Sequence, residues 1–374
     1  MTNLQTKMQR ALDEAVAQGR ERGVQLVAYY RGERVVDAWS GIADIRTGRL
    51  VDGDTLFPVF STTKGIAATV LHLLAERGQL DYDRPIADYW PAFGVNGKST
   101  CTVRHALNHT AGIPYMPEGI RLEDAHDWDR MCTAVAGLTP HWPPGEHREY
   151  HAITYGWLVG EVARLVDGRE FSRILQEDIA VPLGIADGLF VGIPDEAEPR
   201  VAYLEEPGFD AATLPQEGPQ SVPAWIQPLG GWMNGAAARR ACLPASNGIM
   251  SARAGARFYA ALLPQGVDGI ELLPPSRVKL ATVPLVTPDG VVHELGLGYD
   301  LGGPNNVTGP HATSFGHGGY GGSLAYADPE SGLAVAYANN LFSSQCARDE
   351  IVALLKRELG IGETPVEQKN GIGG

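Results

Sequence analysis

Cysteine, positive charge and long apolar runs are what this 374-residue chain has least of, and each shortage closes off a class of protein. The four cysteines, Cys101, Cys132, Cys242 and Cys346, lie far apart and form neither a Cys-x-x-Cys pair nor part of a His-rich cluster. That spacing argues against a disulfide framework and a structural zinc site, and predicts reduced, mostly buried thiols in a cytoplasmic protein. With 30 Lys and Arg against 44 Asp and Glu, the formal net charge is -14, the wrong sign for a surface that binds phosphate backbones, so no nucleic-acid partner is expected. The longest apolar stretch, Gly65 to Ala75, is interrupted by His72. It is shorter than the roughly 20 residues that cross a bilayer, and no membrane partner is expected. The opening Met1 to Met8 shows neither a basic region leading into an apolar stretch nor a small-residue cleavage site, so no export signal is read there. No repeat period is visible. Apolar residues at 44% and charged ones at 20% fit an ordinary globular protein and disfavour disordered, collagenous and coiled-coil classes.

Against these absences stands Ser61-Thr62-Thr63-Lys64, set between the apolar run Leu56 to Phe60 and a helix-forming run from Gly65 to Arg77. Residues i and i+3 share a helix face, so Ser61 in the first turn and Lys64 one turn on point into the same space. A serine hydroxyl is a weak nucleophile unless a neighbour takes its proton, and a lysine does so only when burial or nearby positive charge lowers its pKa. The pattern therefore calls for a buried lysine, and the flanking Phe60 and Ile66-Ala67-Ala68 supply an apolar setting. A helix N-terminus adds unpaired N–H groups and a positive dipole end for a developing oxyanion. Taken alone, the four residues read more readily as an N-cap serine and a solvated lysine.

Three further blocks give the motif company. Trp142-Pro143-Pro144-Gly145 leads to Tyr150-His151-Ala152 and a helix. Near the end comes Gly316-His317-Gly318-Gly319-Tyr320-Gly321-Gly322-Ser323 before strand-like segments. Leu107 to Gly112 and Asn247 to Ser251 complete the set. In order and spacing the chain resembles the serine β-lactamase and penicillin-binding-protein superfamily, in particular the class C-like branch that holds family VIII carboxylesterases. The likeness runs from about Leu26 to about Asn340. It implies that Ser61 is acylated, that Lys64 is the motif lysine, that Tyr150 shuttles a proton, and that His317-Gly318-Gly319 edges the site. It also implies an oxyanion hole from the backbone N–H groups of Ser61 and Tyr320. Substrate contacts are then expected from His151, Ala152, Gly318, Gly319 and Trp232, with His317 counted among the catalytic groups.

Two departures from that pattern bear on substrate. The asparagine expected two residues after the tyrosine is Ala152, and the lysine expected at the third motif is His317. A lysine is a fixed charge suited to a substrate carboxylate, whereas histidine is mostly neutral near pH 7. Losing an amide partner and a carboxylate partner while keeping the Ser, Lys and Tyr machinery points to acyl transfer on small neutral esters, a serine carboxylesterase without metal or cofactor. A β-lactamase, a D-amino-acid peptidase or amidase, or an acyltransferase would use the same site with another leaving group or acceptor. A catalytically silent binding module is the alternative from a different class. For Tyr150 to act near neutral pH, its pKa has to fall well below the usual 10 or so, an effect expected of a neighbouring Lys64 ammonium.

The remaining pattern gives the fold class, α+β. Leu4, Met8, Leu12 and Val16 mark an amphipathic helix ending near Gly19, followed by strands Val24 to Tyr30 and Arg34 to Trp39. Ser323 to Ala327 and Leu333 to Asn339 form a second hairpin, and a helix over about Ser344 to Leu359 closes the chain. Both termini are thus expected to build one antiparallel sheet with terminal helices packed on it, residues 1–60 and 240–374, while residues 61–239 form a largely helical lobe with entrance loops. The oligomeric state is not readable, and the glycine-rich tail Lys369 to Gly374 is expected to fray.

Several patterns are decoys. Gly316 to Gly321 matches Gly-x-Gly-x-x-Gly, but a strand-like segment follows where a dinucleotide site needs a helix. No Gly-x-Ser-x-Gly elbow is present, which sets aside the α/β-hydrolase fold. His105 and His109 have i, i+4 spacing without the carboxylate of a zincin, so His109 reads as a turn brace. His151 reads either as a solvent-facing neighbour of Tyr150 or as a substrate contact. Trp142, Trp157, Trp225 and Trp232 are candidates for an apolar pocket, with core packing the plainer role for Trp157.

Overall fold

The computed structural model describes residues 3–214, 218–303, 306–309 and 311–362; the tail expected to fray lies outside them. Among the described residues twelve strands are seen: β1 Gly23–Tyr30, β2 Glu33–Asp44, β3 Arg49–Leu50, β4 Phe57–Phe60, β5 Leu189–Val191, β6 Gly248–Met250, β7 Leu285–Val286, β8 Val292–His293, β9 Asp300–Leu301, β10 Phe315–Gly318, β11 Leu324–Asp328 and β12 Leu333–Asn339. Seven make one antiparallel sheet in the order β3-β2-β1-β12-β11-β10-β9. The first long strand therefore lies beside the last, with Val27 opposite Ala336, and the two hairpins read from sequence join into one surface.

Strand alternation gives the sheet two different faces. Leu26, Ala28, Val335 and Tyr337 meet Met8 and Leu12 of the N-terminal helix Asn3–Ala17 and Ile351, Val352 and Leu355 of the C-terminal helix Arg348–Glu358. On the other face Val27, Ala325, Ala334, Ala336 and Ala338 join the main core. Those alanines let the helix Ala252–Ala260 approach closely: a Cβ placed on its Gly255 would stand 3.0 Å from the Cβ of Ala336. The sheet carries β10 toward the centre of the molecule at a depth fixed by small side chains.

Beyond the sheet, β4, β6 and β5 form a short antiparallel ribbon. Helix Thr63–Glu76 is buried in the core against Thr154–Asp167, on which Trp128–Ala136 packs, and long irregular segments join them. The region 194–244 holds short helices such as Leu229–Met233 and Ala236–Arg240. Among the described residues no helix is long and apolar enough to cross a membrane, and no group of three or more His, Cys, Asp or Glu is placed to hold a metal ion.

Candidate active site

Phe60 ends β4 in the left-handed region, at φ 46°. A side chain there costs about 1–2 kcal/mol, and packing holds it: the Phe60 ring makes edge contacts with Tyr320 and Phe342 at centroid distances of 5.8 and 5.6 Å. The sharp turn ejects Ser61 at the mouth of a cavity. The helix proper starts at Thr63, with Thr62 as its N-cap, so Ser61 stands just before the first turn rather than within it. The Lys64 N–H donates to the Ser61 carbonyl at 2.9 Å, which preserves the i, i+3 relation. Behind this turn, Thr63 Oγ1 accepts the Gly248 N–H at 2.8 Å, tying the helix start to β6.

Lys64 is fully buried. Its Nζ lies 3.1 Å from Ser61 Oγ, 2.8 Å from the Ala152 carbonyl oxygen and 2.9 Å from the Ala245 carbonyl oxygen. Burial pushes its pKa down to about 7, with Asp300 pulling the other way. A neutral amine has two hydrogens and one lone pair. With both hydrogens given to the carbonyls, the lone pair is left for the Ser61 hydroxyl.

Tyr150 completes the group: its hydroxyl is close enough to Ser61 for the serine to favour the phenolate, and Lys64 Nζ sits 4.8 Å from its ring centroid. The expected lowering of its pKa is overturned. Burial raises the phenol well above its usual value, and Ser61 only partly offsets this. A low-dielectric pocket penalises the phenolate, while the same burial weakens the hold of Lys64 on its charge and with it the field that was to stabilise phenolate. Of the two, Lys64 is the group poised to accept a proton.

His109 positions this tyrosine. It too is left-handed, at φ 63°. Its carbonyl accepts the Glu149 N–H at 3.2 Å and its Nδ1 accepts the His151 N–H at 3.2 Å. Its ring lies 4.8 Å from that of Tyr150. Tyr150 is thus held on both flanks by one residue. His151 is neither solvent-facing nor on the cavity wall. It is buried, its Nε2 accepts the Ile113 N–H at 3.1 Å, and its Nδ1 lies 2.7 Å from the Glu149 carbonyl oxygen. Both ring nitrogens are used in holding backbone, which corrects the expectation of a substrate contact.

The end of β10 closes against the nucleophile turn. A Cβ on Gly319 would fall 2.1 Å from the Val59 carbonyl oxygen and 2.8 Å from Thr62 Oγ1, so only glycine fits. Ser323 Oγ locks the approach, donating to the Val59 carbonyl at 2.8 Å and lying 3.1 Å from Thr62 Oγ1. The amide hydrogens of Ser61 and Tyr320 have no acceptor among the described residues. His317 is buried, with Nδ1 2.6 Å from the Gly318 carbonyl oxygen and 3.6 Å from Asp300 Oδ2. Its ring centroid is 6.3 Å from that of Tyr150. Burial lowers its pKa, against the pull of Asp300. It stands beside Tyr150 and is not among the residues that line the cavity.

The cavity over Ser61 has a volume of about 420 Å³, and Phe60, Ile153, Val222, Leu229, Trp232 and Tyr320 form its apolar walls. Ala152, Gly318 and Gly319 also line it, and none of its described lining residues is charged. Of the four tryptophans considered, Trp232 alone lies on this wall, while Trp157 is in the core. The sequence reading missed Phe60, Ser323, His109 as the Tyr150 support, and the carbonyls of Ala152 and Ala245. Backbone oxygens carry no side-chain signature. The Asn108-His109 pair did offer a turn signal that fits a left-handed residue.

Residues 8–357 match the Beta-lactamase family. The chain is similar to the esterase/beta-lactamase LipL of Mycobacterium tuberculosis (strain ATCC 25618 / H37Rv), 38% identical over 337 residues that cover 85% of this chain and 77% of LipL. In fold it is similar to a family VIII carboxylesterase, with a TM-score of 0.84 and 31% identity, covering 96% of this chain and 98% of that one. It is also similar to a penicillin-binding protein homolog from Caulobacter crescentus, with a TM-score of 0.80 and 34% identity, covering 95% and 98%. With the match spanning nearly the whole chain and the serine, lysine and tyrosine gathered at one cavity, the protein belongs to the beta-lactamase family.

Proposed function

We propose that this protein is a serine carboxylesterase acting on small neutral esters through an acyl-enzyme at Ser61. The neutral Lys64 amine takes the Ser61 proton as Oγ attacks the ester carbonyl carbon. The Ser61 and Tyr320 amides hold the resulting oxyanion, a contribution that grows as charge develops. Collapse breaks the bond to the alcohol oxygen, which receives the proton from Lys64 by way of the Tyr150 hydroxyl. Water then attacks the acyl-enzyme under the same general base and frees the acid. Tyr150 acts in its protonated form, passing one proton as it gains another. Ala152, Gly318, Gly319 and Trp232 contact the substrate, while His317 holds Tyr150 from behind.

The observation that carries this reading is an uncharged, largely apolar cavity above Ser61 and the buried Lys64 beside it. A neutral ester needs no counter-charge there, and the names of LipL and of the family VIII neighbour support it. LipL's name also covers lactam hydrolysis, so a β-lactamase is the second reading. We take the sheet built by both termini and the segment 61–239 as two lobes with Ser61 at their seam. The four cysteines are unpaired, which fits a cytoplasmic setting. The test compares kcat/KM for p-nitrophenyl butyrate and nitrocefin: the ester is expected to win by about 100-fold or more, the scale on which a site rejects a poor fit, and a faster lactam would favour the second reading.

A further inference from the structure

The cavity over Ser61 is next to a second one of about 970 Å³. Among the described residues, Tyr320 is the only one common to the two walls. Its side chain is held at both ends. The ring makes edge contacts with Phe60 and Phe342, at centroid distances of 5.8 and 5.5 Å. The hydroxyl donates to Glu206 Oε1, and Glu206 Oε2 accepts the Gly230 N–H at 2.8 Å. Gly230 belongs to the helix Leu229–Met233, which also carries Leu229 and Trp232 of the reaction cavity. The chain Tyr320–Glu206–Gly230 therefore bridges one wall of that cavity to another. Burial, then Glu206, raises the phenol pKa to about 12, so the latch keeps its proton at working pH.

The direction of the substrate follows from the mechanism. The alcohol oxygen has to meet a proton donor, which places the leaving group toward Tyr150 and leaves the acyl group the walls formed by Leu229, Trp232 and Tyr320. A short acyl chain ends before the Tyr320 ring, whereas a long one meets it. Beyond lies the second cavity, with Phe209 and Phe342 as apolar surface. It also carries Glu206, Asp210 and Asp349, while its Arg348 is already paired with Asp349 at 2.7 Å. That balance disfavours a terminal carboxylate.

Resting on the esterase reading, we propose that the Tyr320 side chain, latched by Glu206, sets the length of acyl chain accepted, and that the second cavity is an unused subsite for the distal part of a longer neutral acyl group. Tyr320→Ala removes the partition but keeps the backbone N–H, Glu206→Ala releases the latch, and Tyr320→Phe removes only the hydroxyl. The measurement is the ratio of kcat/KM for p-nitrophenyl decanoate to that for p-nitrophenyl acetate. The ratio is expected to rise by about tenfold or more in Tyr320→Ala and Glu206→Ala, the scale of a few methylenes gained, and by less in Tyr320→Phe. A general loss of folding would lower both rates and leave the ratio unmoved. A ratio within about twofold of wild type in both alanine variants, with Tm and acetate turnover close to wild type and turnover still dependent on Ser61, overturns the partition and leaves the esterase reading standing. Turnover that survives Ser61→Ala overturns the esterase reading and the partition with it.

Discussion

Lys64 Nζ stands 3.1 Å from Ser61 Oγ with its other contacts made to two backbone carbonyls. An ammonium there would donate to all three oxygens and could accept nothing. Burial tips the balance toward the neutral amine, and a buried lysine thereby becomes a base near neutral pH.

This fixes the sign of the pH dependence. Activity needs the unprotonated amine, so kcat/KM is expected to rise about tenfold per pH unit below about 7 and to level off above it. A pH–rate profile with p-nitrophenyl butyrate checks it. A rising limb centred near 10 would instead mean that an unperturbed lysine or tyrosine is the base.

His109 supports Tyr150 through its carbonyl, its Nδ1 and its ring. His109→Ala removes the side-chain acceptor and the stacking partner at a left-handed position. A misplacement of about 1 Å is worth about 100-fold, so kcat is expected to fall on that scale. His109→Asn keeps an acceptor and tolerates the backbone angle, and is expected to recover most of the loss. Equal loss in both variants, with unchanged thermal stability, would contradict a positioning role.

Gly319 is required by space and not by backbone angle. The added methyl of Gly319→Ala meets the Val59 carbonyl and Ser323 Oγ, at 2.1 and 2.2 Å if nothing moves. Since neither can leave without unlocking β10 from the nucleophile turn, the Tyr320 amide shifts. A loss of about 100- to 1000-fold in kcat is expected, comparable with removing one oxyanion donor, together with a lower Tm. Turnover near the wild-type rate would show that this edge does not form part of the oxyanion site.

Tyr150→Phe separates proton transfer from packing, since the ring stays and only the hydroxyl goes. A fall of about 100- to 10,000-fold in kcat at unchanged Tm is expected. A fall of less than tenfold or so would leave Lys64 to deliver the proton alone.

Much of this was legible beforehand because it rests on side chains with a pattern. The alternating strands and amphipathic end helices announce the sheet, and Ser61, Lys64 and Tyr150 sit at spacings tied to one chemistry. What was not legible depends on distance and dielectric. No local pattern says that Lys64 meets the carbonyls of Ala152 and Ala245, which lie 88 and 181 residues away. For the same reason the Tyr150 pKa was read in the wrong direction: its sign depends on how deeply phenol and ammonium are buried together. His151, a neighbour of Tyr150 in sequence, turned out to point into the protein, because its backbone N–H and both ring nitrogens are taken up by the segments around Glu149, His109 and Ile113.

The most direct test is to quench the protein during turnover of p-nitrophenyl butyrate and map the covalent product by mass spectrometry. A single butyryl group on the peptide containing Ser61, absent from Ser61→Ala, is the expected result. An acyl group on another residue, or undiminished turnover by Ser61→Ala, would contradict it.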